Sequence, residues 1–79
     1  MDVMETIRAR YSEVSSVQKR IADYCLEHPD AASFQTLREF AQTTHTTDAT
    51  VLKFCSNMGY HGFLAFRRQL QEYVRMRLS

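Results

Sequence analysis

Residues 36–58 read TLREFAQTTHTTDATVLKFCSNM, and this stretch decides the fold. Two segments with helical spacing flank a run of short polar and β-branched residues. In the first segment Thr36 is followed three residues later by Glu39. Such a pair satisfies two orphan backbone N–H groups at a helix start, each side chain bonding the other residue's amide. A short helix is therefore expected to about Thr43, with Leu37, Phe40 and Ala41 facing inward. Thr43, Thr44, His45 and Thr46 break the period, because their side chains offer the backbone non-helical alternatives. Thr47 is a new N-cap, and Asp48 puts negative charge in a first turn, where the helix dipole favours it. Val51, Phe54, Cys55 and Met58 recur at helical intervals as a buried stripe. Gly59 follows as the residue that takes positive φ easily, with Tyr60 folding apolar surface back.

The flanking sequence extends the same pattern in both directions. Residues 2–13 place Val3, Met4, Ile7 and Tyr11 at helical intervals. Ser15 with Gln18 is another capping-box pattern, opening a helix whose stripe is Val17, Ile21, Tyr24, Cys25 and His28. Pro29 disfavours a helical His28 and ends it. Ala31 to Phe34 make a short connection with room for one helical turn. Gly62 and Phe63 open a last helix with Phe63, Phe66, Leu70, Tyr73 and Val74 inside. The expected fold is an all-α domain of about five helices spanning residues 1–79, with no sheet. Only two glycines and one proline in 79 residues agree with that, and a hydrophobic fraction of 44% is enough for a packed core.

The unit from Thr36 to Met58 is a helix-turn-helix arrangement. Its second helix, about residues 47–58, turns Thr47, Asp48, Ala49, Thr50, Leu52 and Lys53 away from the buried stripe. That face is small and polar, carries a cation, and has no bulky aromatic. It fits a DNA major groove, which admits one α-helix and offers donors, acceptors and thymine methyls. Thr36 and Thr47 stand at helix starts, where free backbone N–H groups suit phosphate. The candidate DNA-contacting set is Thr36, Thr46, Thr47, Asp48, Thr50 and Lys53. Patterning alone leaves a second reading, a helical interaction or dimerisation module that binds no DNA, because any pair of capped helices carries such threonines.

Charge is divided along the chain. Residues 1–45 hold five cations against seven acids, a net −2, and residues 46–79 hold five cations against two acids, a net +3. The basic second half is compatible with a phosphate-facing surface and equally with an ordinary solvated helix face. No apolar run reaches the ~20 residues of a membrane span, and the first residues lack the zones of a signal peptide. A soluble cytoplasmic setting is the expectation. Cys25, His28, Cys55 and His61 match no zinc-finger spacing, and both cysteines fall on buried stripes, so no metal is expected. Neither a catalytic set nor a glycine-rich phosphate loop can be read from the spacing, so neither enzymatic activity nor a cofactor is expected.

Ile21-Ala22 with Tyr24, Glu39-Phe40-Ala41, Ala49-Thr50-Val51, Phe54-Cys55 and Met58-Gly59-Tyr60-His61-Gly62-Phe63 followed by Phe66 form a recognisable series. The stretch from Ile21 to Leu70, about two-thirds of the chain, resembles the N-terminal domain of the RpiR family of bacterial transcriptional regulators. The resemblance implies binding of double-stranded operator DNA, usually as a homodimer. It also implies a C-terminal sugar isomerase-like domain that senses a phosphosugar effector. That domain is absent from this chain, so effector binding is not expected of it. Three turn positions depart from the family pattern of glycine, apolar residue and serine, here His45, Thr46 and Thr47. His45 must then accept positive φ, which histidine tolerates less well than glycine. Lys53 stands where the family usually has arginine, keeping the charge and losing the bidentate fork. The terminal helices, through Met4, Ile7, Tyr73 and Val74, are the expected dimer contact.

Overall fold

A computed structural model describes residues 1–78. Six α-helices follow one another: α1 Val3–Arg10, α2 Ser16–Glu27, α3 Pro29–Ala32, α4 Leu37–Thr43, α5 Asp48–Asn57 and α6 Phe63–Arg77. A 3-10 turn, Tyr11–Glu13, separates α1 from α2. No strand occurs among the described residues. The sixth helix comes from Pro29. It ends α2 as expected and also opens α3, because a proline at the first helical position lacks an N–H that no helix would use.

Local chemistry accounts for the helix starts. Thr36 and Glu39 form the full capping box, with the Thr36 N–H donating to Glu39 Oε1 at 2.9 Å and the Glu39 N–H to Thr36 Oγ1 at 3.2 Å. These bonds hold the Glu39 carboxyl below its ordinary pKa. Asp2 and Glu5 make a similar box at α1. At α2 only half the expected box exists. Ser15 Oγ accepts from the Gln18 N–H at 3.2 Å, while the Gln18 side chain turns inward and accepts from Asn57 Nδ2 at 2.9 Å.

One core joins all six helices. Phe40, Phe54, Phe66, Ile7, Ile21, Leu70, Met4 and Val51 are among its fully buried side chains. Phe40 and Phe66 sit at its centre. Phe40 meets Tyr24, Phe63 and Phe66 edge-on at 5.5, 5.5 and 6.3 Å between centroids. Phe66 meets Phe54 edge-on at 5.8 Å and Tyr60 at 5.6 Å. Edge-on pairs bring the positive ring edge to a negative face, which adds to the burial itself. Cys25 and Cys55 lie in this core as small hydrophobes, and burial raises both thiol pKa values, that of Cys55 to about 12.

The α2 stripe differs from expectation at both ends. Gln18, Ile21, Ala22 and Cys25 are buried, whereas Val17 and His28 are exposed. Gln18, Ile21, Ala22 and Cys25 follow the i, i+3, i+4, i+7 spacing, and a glutamine with a buried amide partner can occupy its first position. The same burial corrects the expected dimer contact. Met4 and Ile7 are 1% and 0% exposed inside the chain's own core, so they offer nothing to a second copy.

Both turns that define the second capped helix are Schellman motifs. After α4 the His45 N–H donates to the Gln42 carbonyl at 3.2 Å and the Thr46 N–H to the Ala41 carbonyl at 2.9 Å. After α5 the Gly59 N–H donates to Ser56 at 2.9 Å and the Tyr60 N–H to Cys55 at 2.9 Å. The C′ residues have φ of +57° at His45 and +93° at Gly59. His45 therefore sits in the strained left-handed region that the sequence anticipates. His45→Gly removes a penalty of about 1–2 kcal/mol for a side chain in that region, offset by glycine's unfolded-state entropy of about 0.5–1 kcal/mol. A net gain of about 0.5 kcal/mol is expected, read as a higher urea midpoint at unchanged slope. A lower midpoint would show that the imidazole contributes more than its backbone strain costs.

Candidate nucleic-acid interface

Helix α5 is anchored on one side and open on the other. Val51, Phe54 and Cys55 are fully buried, while Ala49, Leu52, Lys53 and Ser56 are exposed. Lys53 projects from the open side without being covered, and Thr50 is half-buried beside it. The Thr47 side chain accepts from the Thr50 N–H at 3.2 Å, capping the helix, and the two threonine hydroxyls lie 2.9 Å apart. One of the cap's own hydrogen bonds is thus shared with Thr50, which leaves the Thr50 methyl as its freer group.

The remaining candidates have structural partners. Thr46 is half-buried, and its hydroxyl lies 2.9 Å from that of Thr44, which in turn donates to the Phe40 carbonyl at 2.9 Å. Thr36 is exposed and engaged in the α4 capping box. Asp48 pairs with Arg38 across the two helices at 3.7 Å. Five of the six candidates, Thr46, Thr47, Asp48, Thr50 and Lys53, fall on the turn and the first two turns of α5. Thr36 stands apart at the start of α4.

The cations around this face come mostly from elsewhere in the chain. Arg20 of α2 donates to the His45 carbonyl at 2.7 Å, holding the turn. Arg10 donates to the Asn57 carbonyl at 3.0 Å, where the dipole of α5 favours positive charge. Arg38 reaches α5 through Asp48. All three arginines are exposed, and a guanidinium with five N–H groups retains donors beyond one such bond. The basic second half of the chain contributes less than its charge suggests. Lys53 alone among its cations lies on α5. Arg67 donates to the Gln35 carbonyl at 3.0 Å, Arg75 pairs with Glu72, and Arg77 stacks on Tyr73, all on α6. Arg20 and Arg38 therefore belong to the candidate face, and charge counted along the sequence does not find them. The sequence signal for them is their place on the exposed side of a helix whose opposite side carries the core stripe.

Among the described residues no group of three or more His, Cys, Asp or Glu side chains is placed to hold a metal ion. No helix among them is long and apolar enough to cross a membrane.

Known proteins share this arrangement. Residues 1–76 match the model of the helix-turn-helix domain of the rpiR family. The chain is 33% identical over 72 residues to the uncharacterized HTH-type transcriptional regulator YfhH of Escherichia coli, covering 91% of this chain and 26% of YfhH. It is 25% identical over 71 residues to the HTH-type transcriptional regulator HexR of Pseudomonas aeruginosa, covering 90% of this chain and 25% of HexR. Among solved structures, the Vibrio vulnificus NanR protein complexed with ManNAc-6P superposes with a TM-score of 0.90 at 31% identity, over 98% of this chain and 30% of NanR. The N-terminal domain of the regulator ybbH of Bacillus subtilis superposes with a TM-score of 0.82 at 25% identity, over 87% of this chain and 84% of that domain. The chain spans about a quarter of the length of the curated relatives it matches. With the capped pair, its two Schellman turns and these matches in agreement, the chain belongs to the rpiR family of helix-turn-helix domains of transcriptional regulators.

Proposed function

We propose that this chain is the DNA-reading domain of a bacterial regulator of carbohydrate genes and that it docks α5 in the major groove of duplex DNA. The observation that carries the reading is the open side of α5, small and polar and bearing Lys53, with exposed arginines at its edges. Family membership supports DNA as the partner, and the names of HexR and the ManNAc-6P complex of NanR support a link to sugar chemistry. In this reading Lys53 meets phosphate, and Thr50 and Thr47 approach base edges and backbone. Thr36 and Thr46 border the site. Asp48, which would repel phosphate, instead orients Arg38. The domain acts in the cytoplasm, takes no cofactor and performs no catalysis. Residues 1–79 form one domain, and a sugar isomerase-like domain in the parent protein holds the phosphosugar effector. Two copies bind a two-fold operator, with contacts on surface other than the buried Met4 and Ile7.

The reading predicts that substitutions split by role. Lys53→Ala should weaken binding to every duplex alike and shrink the salt slope by about one. Thr50→Ala should cost on the order of 1–3 kcal/mol on a preferred duplex and much less on random DNA. Gel-shift titrations on a duplex selected from a random pool, compared with an unselected duplex, distinguish the two patterns. Equal behaviour of both variants on both duplexes would contradict the assignment of roles.

A further inference from the structure

We propose that the notch between the start of α2 and the open side of α5 receives the C5-methyl group of a thymine, and that Val17 is a specificity-determining contact. The inference rests on the DNA-docking reading above. Ser15, Val17 and Gln18 form one wall of the notch, and Ala49, Thr50 and Lys53 the other. Its volume is about 340 Å³.

Val17 is the unusual member. It is the second residue of α2 and is 40% exposed, although the core stripe of the same helix lies one residue away at Gln18. The Gln18 side-chain oxygen Oε1 is turned to Asn57, and the Thr50 hydroxyl to Thr47. What the notch mainly presents is therefore carbon from Val17, Ala49 and the Thr50 methyl. Its one charge is Lys53, and no carboxylate lines it. A cation at the rim suits a phosphate backbone, and carbon inside it does not. The base edges of the major groove present nitrogen and oxygen donors and acceptors, and a single apolar group, the thymine methyl. An apolar notch flanking a groove-reading helix, with a cation at its edge, matches that group.

The test removes the methyl from either side. A duplex is selected from a random pool, and its thymines are replaced one at a time by deoxyuridine, which lacks only the methyl. Affinities are measured for the wild type and for Val17→Ala, with thermal melting to confirm that the variant folds. One thymine should matter to the wild type by about fourfold, the worth of one buried methyl group. In Val17→Ala that discrimination should fall toward onefold while the salt slope stays at its wild-type value. Val17→Thr keeps the side-chain shape and replaces a methyl with a hydroxyl. It is expected to lose discrimination at the same thymine and serves if the alanine variant fails to fold. A wild type that binds but ignores every replacement would overturn the inference alone, as would a variant that discriminates as well as the wild type. A wild type with no duplex affinity would overturn the docking reading and this inference together.

Discussion

Phe66→Ala is expected to bring the domain to the edge of unfolding or beyond it. The side chain is fully buried, and its ring meets Phe40 of α4, Phe54 of α5 and Tyr60 of the turn between α5 and α6. Truncation removes the transfer free energy of the ring, leaves a cavity, and deletes three aromatic contacts together. Such replacements cost about 3–5 kcal/mol. Domains as a class have about 5–15 kcal/mol of stability, and a chain of 79 residues buries too little surface to stand at the upper end. The consequence reaches the candidate interface directly. Helix α5 is held by Val51, Phe54 and Cys55, and Phe66 backs Phe54. Urea denaturation followed by far-ultraviolet dichroism measures the loss. A fall of less than 1 kcal/mol would mean that the aromatic cluster does not hold the core together.

The elements that the sequence made legible are those whose signals lie within a few residues. The Thr36–Glu39 box, the Thr47 cap, the Gly59 exit and the positive φ at His45 each involve groups three to five positions apart, so a local pattern contains the whole interaction. The same holds for the α5 stripe of Val51, Phe54 and Cys55. Local pattern misleads where a distant partner decides the outcome. Gln18 displaced Val17 from the core stripe because Asn57, 39 residues away, satisfies its amide. Met4 and Ile7 looked like spare apolar surface until α1 packed on α2 and α6. Gly62, with φ of +101°, is a third positive-φ position, and spacing does not mark it.

The candidate site divides in the same way. Its α5 residues were readable, since an exposed helix face is the complement of a buried one. Its arginines were not. Arg20 reaches the turn across 25 residues, and the tally of the first half of the chain, net −2, pointed away from it. Acids of that half are engaged elsewhere: Asp23 accepts from the Tyr11 hydroxyl at 2.8 Å, and Asp2, Glu5 and Glu39 serve as caps. Which cations share a face is a property of helix packing, and charge summed along a sequence does not contain it.

Those cations bear directly on whether α5 docks on DNA. Arg20, Arg38 and Lys53 belong to three different helices: Arg20 reaches the turn before α5, Arg38 reaches the first turn of α5 through Asp48, and Lys53 stands on its open side. If that side docks on duplex DNA, each neutralises a phosphate and releases condensed counterion, about 0.9 of an ion per contact. Replacing all three with alanine should leave the domain folded, because the Arg20 bond to the His45 carbonyl is an exposed one whose loss costs about 1 kcal/mol. The Arg38–Asp48 pair is exposed at 77% and 43%, so its loss changes stability little. The measurement is the slope of log affinity against log salt for the wild type and the triple variant on one duplex. A steep wild-type slope is expected, with a variant slope shallower by about 2.7, three contacts at about 0.9 each. A folded wild type whose affinity does not depend on salt, or a triple variant with the wild-type slope, would contradict docking of α5 on DNA.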